Sequence, residues 1–193
     1  MKYLLLAACA ALIPGLAAAA PAFLPTRDVQ VDYTLSGTGQ APQNYQLSYN
    51  ARYQLARVDS PNGFFVLADL PRGEAKLVVP ALHAIVSTPD VSALTAEISQ
   101  ADGANFSPLG RGHYAGLDCR NYLVTDQHGA ATACLTRDGV ILHFVGHDSH
   151  GGADVTATAV SFGPQPPDGF VPPPGFAPLN LPPGAVAALL QQH

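Results

Sequence analysis

Charge is the scarcest property of this chain: only 12% of its 193 residues are Asp, Glu, Lys or Arg. Lysine occurs at Lys2 and Lys76 and nowhere else. Without a basic stripe the chain offers no electrostatic footprint for nucleic acid, and without a polybasic segment none for anionic lipid heads. The surface must be wetted instead by Ser, Thr, Asn, Gln and Gly. Catalytic signatures are missing too. There is no Gly-x-Ser-x-Gly elbow, no His-Glu-x-x-His and no glycine-rich phosphate loop ahead of a helix. The expectation is therefore a non-enzyme with no cofactor and no catalytic residue, although a Ser-His-Asp triad assembled from distant positions stays open.

The first 22 residues set the address. Lys2 supplies a positive n-region, Tyr3 to Leu16 is an apolar run broken only by Pro14 and Gly15, and Ala17-Ala18-Ala19-Ala20 offers small residues to a signal peptidase. Cleavage is expected after Ala19, with Ala20 and Ala22 as alternatives, and residues 1–20 are taken as the signal. The run is too short for a span of about 20 strongly apolar residues. It reads as a secretory signal on an exported bacterial protein, placed in the periplasm, with no membrane span after cleavage. Leu6-Ala7-Ala8-Cys9 has the look of a lipobox, but lipidation there would leave only Lys2 to Ala8 as signal. Cys9 is read as an ordinary residue of the apolar run.

Removing the signal leaves roughly 170 residues, one domain of ordinary size able to bury a sizeable core. Cys119 and Cys134 are then the remaining cysteines, an even pair in an oxidising compartment, which predicts a disulfide. Thr125 to Gly129 between them is a turn signal flanked by Asn121-Tyr122-Leu123-Val124 and Ala131-Thr132-Ala133, a hairpin that brings the cysteines to nearly the same height. A bridge closing that loop is worth about 3 kcal/mol in the chain-entropy view. No Cys-x-x-Cys spacing marks the pair as redox-active.

The dominant period along the mature chain is two. Val29, Val31, Tyr33 and Leu35 alternate with Asp28, Gln30, Asp32 and Thr34, as in a half-buried antiparallel strand. Tyr45, Leu47, Tyr49, Ala51, Tyr53 and Leu55 continue the alternation as one long strand or two with a bend near Asn50. Ser60-Pro61-Asn62-Gly63 turns into a strand over 64–69, Pro71-Arg72-Gly73 turns into the next over 75–79, and 83–88 follows in a meander. One helix is predicted over 90–100, capped by Asp90 or Ser92, with Val91, Leu94 and Ile98 on one face. Strands resume at 112–114, through the cysteine hairpin, at 140–145 and at 153–162. From Gly163 the prolines forbid regular pairing and predict an extended tail, anchored by Phe170, Val171, Phe176 and Leu179, with a short helix over 185–191. The expected architecture is mainly β: a strongly curved, half-barrel-like antiparallel sheet over 21–163, one helix packed against it, and a Pro-rich tail over 164–193.

Two sets of residues carry candidate chemistry. Tyr33, Tyr45, Tyr49, Tyr53, Phe64 and Phe65 could line a concave face that takes a lipid-like or other apolar ligand, or an envelope protein. The segment His143 to His150 offers a metal alternative. His143 and His147 share a face if extended, but lie about 13 Å apart in a strand, so one ion needs a bend at Gly146 to reach both. His147, Asp148 and His150 are the preferred subset. Arg52, Arg57, Arg111, Arg120 and Arg137 are expected on exposed strand faces, paired with acids such as Asp28, Asp32 and Asp59.

Several segments resemble an uncharacterised group of exported proteobacterial proteins: Leu24 to Val29, Arg57-Val58-Asp59 with Pro61 and Gly63, and above all Ala115-Gly116-Leu117-Asp118-Cys119 with Ala133-Cys134-Leu135-Thr136-Arg137-Asp138-Gly139-Val140. Ser161 to Gln165 and Val171 to Phe176 fit as well. More distantly the pattern is similar to the open half-barrels of periplasmic lipoprotein carriers, which implies a curved sheet around an apolar cavity and no catalytic residue. The Gly/His stretch 147–152 departs from it.

Overall fold

The computed structural model describes residues 21–37, 41–87, 95, 103–126, 129–148 and 151–181. The leader, the helices expected over 90–100 and 185–191 and His150 lie outside these residues, except that Thr95 is helical and buried.

Among the described residues, twelve strands form one curved, unclosed sheet. In chain order they are β1 (Val29–Gly37), β2 (Gln43–Asn50), β3 (Leu55–Asp59), β4 (Phe65–Asp69), β5 (Glu74–Val79), β6 (Ala84–Val86), β7 (Asn105–Tyr114), β8 (Leu117–Thr125), β9 (Ala130–Leu135), β10 (Ile141–Asp148), β11 (Gly151–Phe162) and β12 (Ala177–Leu179). Their spatial order is β12-β6-β5-β4-β3-β2-β1-β11-β10-β9-β8-β7. The meander expected from the turns is β1 to β6; β7 to β11 form a second, and the two are welded where β1 pairs antiparallel with β11. Short turns dictate each meander, but the weld joins residues more than a hundred positions apart.

The turns follow local chemistry. Gly63 and Gly139 adopt φ of +79° and +80°, which side-chain-bearing residues rarely do. The alternation from Tyr45 to Leu55 resolves into two strands because residues 51–54 form a turn. Asn50 closes it by accepting a hydrogen bond from the Tyr53 amide at 2.9 Å, and Gln54 takes a left-handed φ of 51°.

The Pro-rich segment corrects the expectation of an unpaired tail. Asp28 accepts the Gln165 amide at 2.8 Å and the Asn50 amide group donates to the Gln165 carbonyl at 2.5 Å, pinning the start of the segment. A 3-10 turn at Pro167–Phe170 then packs near β3, burying Phe170. Phe176 reaches the cluster Phe65, Leu67 and Val78 on one sheet face. Finally β12 pairs parallel with β6, the Ala177 amide donating to the His83 carbonyl at 2.9 Å. Pairing survives the prolines because an edge strand needs donors on one side only, and Pro178 does not have to supply one. Val171, expected as an anchor, is 57% exposed.

Asp28 and Asp32 do not pair with arginine as expected. Asp28 binds the amides of Ala51 and Gln165, and Asp32 accepts from Gln46 at 2.8 Å. Arg57 does pair with Asp59, at 2.6 Å. Arg111 and Arg120 stand opposite each other on β7 and β8, and Arg52 lies over the Tyr53 ring.

Candidate ligand-binding face

Register carries one apolar row across the sheet. Val160, Val31, Leu47, Val58, Val66, Leu77, Val86 and Leu179 stand side by side on β11, β1, β2, β3, β4, β5, β6 and β12. A second row beside it holds Phe162, Val29, Tyr49, Ala56, Ala68 and Ala75. Because side chains alternate strictly in strands, the two rows occupy the same face. Val29, Val31, Tyr49 and Ala56 are buried in one cluster with Cys119, Cys134, Val140 and Leu142, and Ala75 and Leu77 in a second with Val79 and Val86. Leu47, Val58, Val66, Tyr33, Tyr45 and Phe64 are only half-buried. Full burial of such a side chain is worth about 1.5–3 kcal/mol, so each forgoes on the order of 1 kcal/mol. Single exposed apolar groups are ordinary, and a contiguous strip of them is less so.

The tyrosines are placed as follows. Tyr33 stands opposite Tyr45 across the β1–β2 ladder, and Tyr49 opposite Val29. The Tyr33 hydroxyl donates at 2.8 Å to the Ile141 carbonyl on β10, reaching past β11, which the curvature of the sheet permits. Tyr45 donates to Gln43 at 2.7 Å. Burial pushes the ionisation of Tyr33, Tyr45 and Tyr49 upward, most strongly for Tyr33, so all three stay neutral at physiological pH. Tyr53 sits in the 51–54 turn and is 47% exposed. Of the neighbours Phe64 and Phe65, alternation sends one to each side. Phe64 packs with the Ala75, Leu77, Val79 and Val86 cluster, and Phe65 with Leu67 and Val78 on the opposite face. The structure therefore gathers Tyr33, Tyr45, Tyr49 and Phe64 on one face and leaves Tyr53 and Phe65 away from it.

At the other end of the sheet Cys119 and Cys134 form a disulfide, with Cα atoms 5.4 Å apart. Cys134 pairs in register with Asn121, so the bridge runs diagonally rather than level. Gly112 on β7 lies over it; a Cβ there would meet the Cys134 sulfur at 2.7 Å. Beyond it Tyr114 stacks on His143, whose Nδ1 lies 3.1 Å from the Tyr114 hydroxyl and whose Nε2 lies 3.2 Å from Asp154 Oδ1. A carboxylate only accepts, so Nε2 donates to Asp154, while Nδ1 and the Tyr114 hydroxyl share the second hydrogen bond. Sequence reading singled out His143 but not this pairing, because Tyr114 and Asp154 reach it from other strands.

The β10–β11 register runs evenly from His143 to Asp148, without the bend at Gly146 that one ion shared by His143 and His147 needs. The side chains of His147 and Asp148, like His150, lie outside the described residues. Among the described residues no group of three or more His, Cys, Asp or Glu could hold a metal ion. No described helix is long and apolar enough to cross a membrane.

No protein-family model matches this chain, and no curated protein does. Solved structures share its fold. An uncharacterised conserved protein from Thermus thermophilus aligns at TM-score 0.58 with 14% identity, covering 81% of this chain and 91% of its own. MucB aligns at TM-score 0.53 with 16% identity over 78% of this chain and 58% of MucB. The Pseudomonas aeruginosa MucA/MucB complex aligns at TM-score 0.50 with 16% identity, over 72% and 53%. This chain thus spans little more than half the length of MucB. A LolA superfamily protein from Nitrosomonas europaea matches more loosely, at TM-score 0.44 and 10% identity over 78% and 92%. At these identities the likeness is one of fold: the class is the open, curved antiparallel sheet.

Proposed function

We propose that this protein is a non-catalytic binding protein of the bacterial periplasm, which holds an apolar or amphipathic, lipid-like ligand on the face of β1 to β5. The carrying observation is the half-buried strip of Tyr33, Tyr45, Leu47, Val58, Val66 and Phe64, on the same face as the buried Val31, Tyr49 and Leu77. Apolar side chains of this kind bind by area rather than through directed polar contacts, since the Tyr33 and Tyr45 hydroxyl protons are already given to Ile141 and Gln43. The exported-type leader supports the periplasmic setting. The shared fold with MucB, which is solved in complex with MucA, supports a binding rather than a catalytic role and makes an envelope protein the alternative occupant.

Native mass spectrometry of protein gently purified from a bacterial envelope tests the reading. A retained acyl-chain mass, lost in a Leu47→Asp/Val58→Asp variant that keeps its far-ultraviolet spectrum, is the expected outcome. A clean apo mass, together with no uptake of a fluorescent fatty acid, overturns it.

A further inference from the structure

The apolar row does not end at β6. Its last member is Leu179 of β12, in register with Val86, and Leu181 follows it onto the same cluster of Ala75, Leu77, Val79 and Val86. The segment that brings these leucines arrives from the other side of the sheet. Phe176 is packed there against Phe65, Leu67 and Val78, so the chain passes around the β6 edge between residues 176 and 179. We propose that the Leu179–Leu181 end of this strap is a displaceable plug: it occupies one end of the ligand face and yields to an acyl chain. This inference rests on the ligand-binding reading above.

The two ends of the strap are held very differently. Upstream, Gln165 is gripped through both its amide and its carbonyl by Asp28 and Asn50, Phe170 is buried, and Arg57 donates to the Gly169 carbonyl at 3.3 Å while lying 4.0 Å over the Phe65 ring. Downstream, among the described residues, β12 is a three-residue strand on the sheet edge, paired on one side and parallel, with a proline at its centre. Short parallel edge pairing is the weakest part of a sheet. Leu179 and Leu181 are half-buried, so what holds them is the same apolar contact that a hydrocarbon chain offers. Release of β12 would expose Leu77 and Val86 and lengthen the open strip from β4 to β6, while the upstream grip keeps the strap tethered. Covered and open states then compete, and apparent ligand affinity scales with the open fraction.

The test titrates full-length protein with 11-(dansylamino)undecanoic acid. Leu179→Ser/Leu181→Ser should bind the probe about fivefold or more tightly, because the plug is weakened. Ala84→Cys/Ala177→Cys, which joins residues paired across β6 and β12, should bind it at least fivefold more weakly than the single-cysteine control Ala177→Cys. Equal affinity in wild type, released and locked forms overturns the plug and leaves the ligand-binding reading standing. Weaker binding by the released form also overturns it, since Leu179 and Leu181 would then be part of the site. No binding by any form removes the ligand-binding reading and this inference with it.

Discussion

Tyr114 lies flat on His143, ring centroids 4.8 Å apart, although β8 and β9 separate their strands in the sheet. The contact exists because the sheet curls enough to bring β7 back toward β10. Tyr114→Phe keeps the ring and deletes the hydroxyl bond to Nδ1. It should lower stability by about 1 kcal/mol, or Tm by roughly 2–4 °C by calorimetry. Tyr114→Ala, which also loses the stack, should lose clearly more. Equal melting of both variants and wild type would show that the curl does not depend on this pair.

The disulfide joins cysteines 15 residues apart. Replacing both by alanine should cost about 3 kcal/mol in urea titration. Both cysteines are buried and bonded to each other, so neither Cys119 nor Cys134 should react with a thiol-blocking reagent until the protein is unfolded and reduced.

Alkaline pH should unfold the protein through its tyrosines. Burial raises the ionisation of Tyr33, Tyr45 and Tyr49 above the unfolded value near 10, so the protonated form is favoured by folding. Their stabilising contribution is fully present below pH 10 and is lost as pH rises toward the folded values, because the unfolded chain ionises first. Phenolate absorbance should appear together with loss of the β signal in circular dichroism. Tyr33→Phe should flatten that dependence.

Arg57 clamps the strap from the opposite face, through Asp59, the Phe65 ring and the Gly169 carbonyl. Arg57→Met keeps the apolar stem and deletes the charge. The expected loss is about 1 kcal/mol, with faster hydrogen exchange confined to residues 166–176 and none at β1. Uniform acceleration across the sheet would refute a local clamp.

Gly139 lets the 136–140 turn approach the N-terminal segment. Its φ is +80°, and a Cβ would collide with the Leu24 carbonyl. Gly139→Ala should therefore cost roughly 1–3 kcal/mol. The neighbouring contacts, the Thr26 amide to the Asp138 carbonyl at 2.9 Å and the exposed Arg27–Asp138 pair at 3.0 Å, should weaken with it. A wild-type urea midpoint in this variant would contradict the close approach.

Most strands were legible in the sequence because their signals are local. Val29 to Leu35 alternates, Ser60-Pro61-Asn62-Gly63 must turn, and Cys119 and Cys134 flank a hairpin. The pairing of β12 is not legible there, for the converse reason. The tail's prolines report what the backbone lacks, but whether Ala177 finds an acceptor depends on His83, which is remote in the chain. Phe64 and Phe65 share one chemistry, but alternation sends adjacent strand residues to opposite faces.

What the sequence by itself determined is the period-two pattern, the turn positions and the disulfide, since each follows from backbone preferences and short loops. Only the tertiary structure decided that β1 joins β11, that one apolar row runs from Val160 to Leu179, and that Tyr114 meets His143. Those are matters of strand order and curvature, which arise from pairings between distant segments and leave no trace in any short window of sequence.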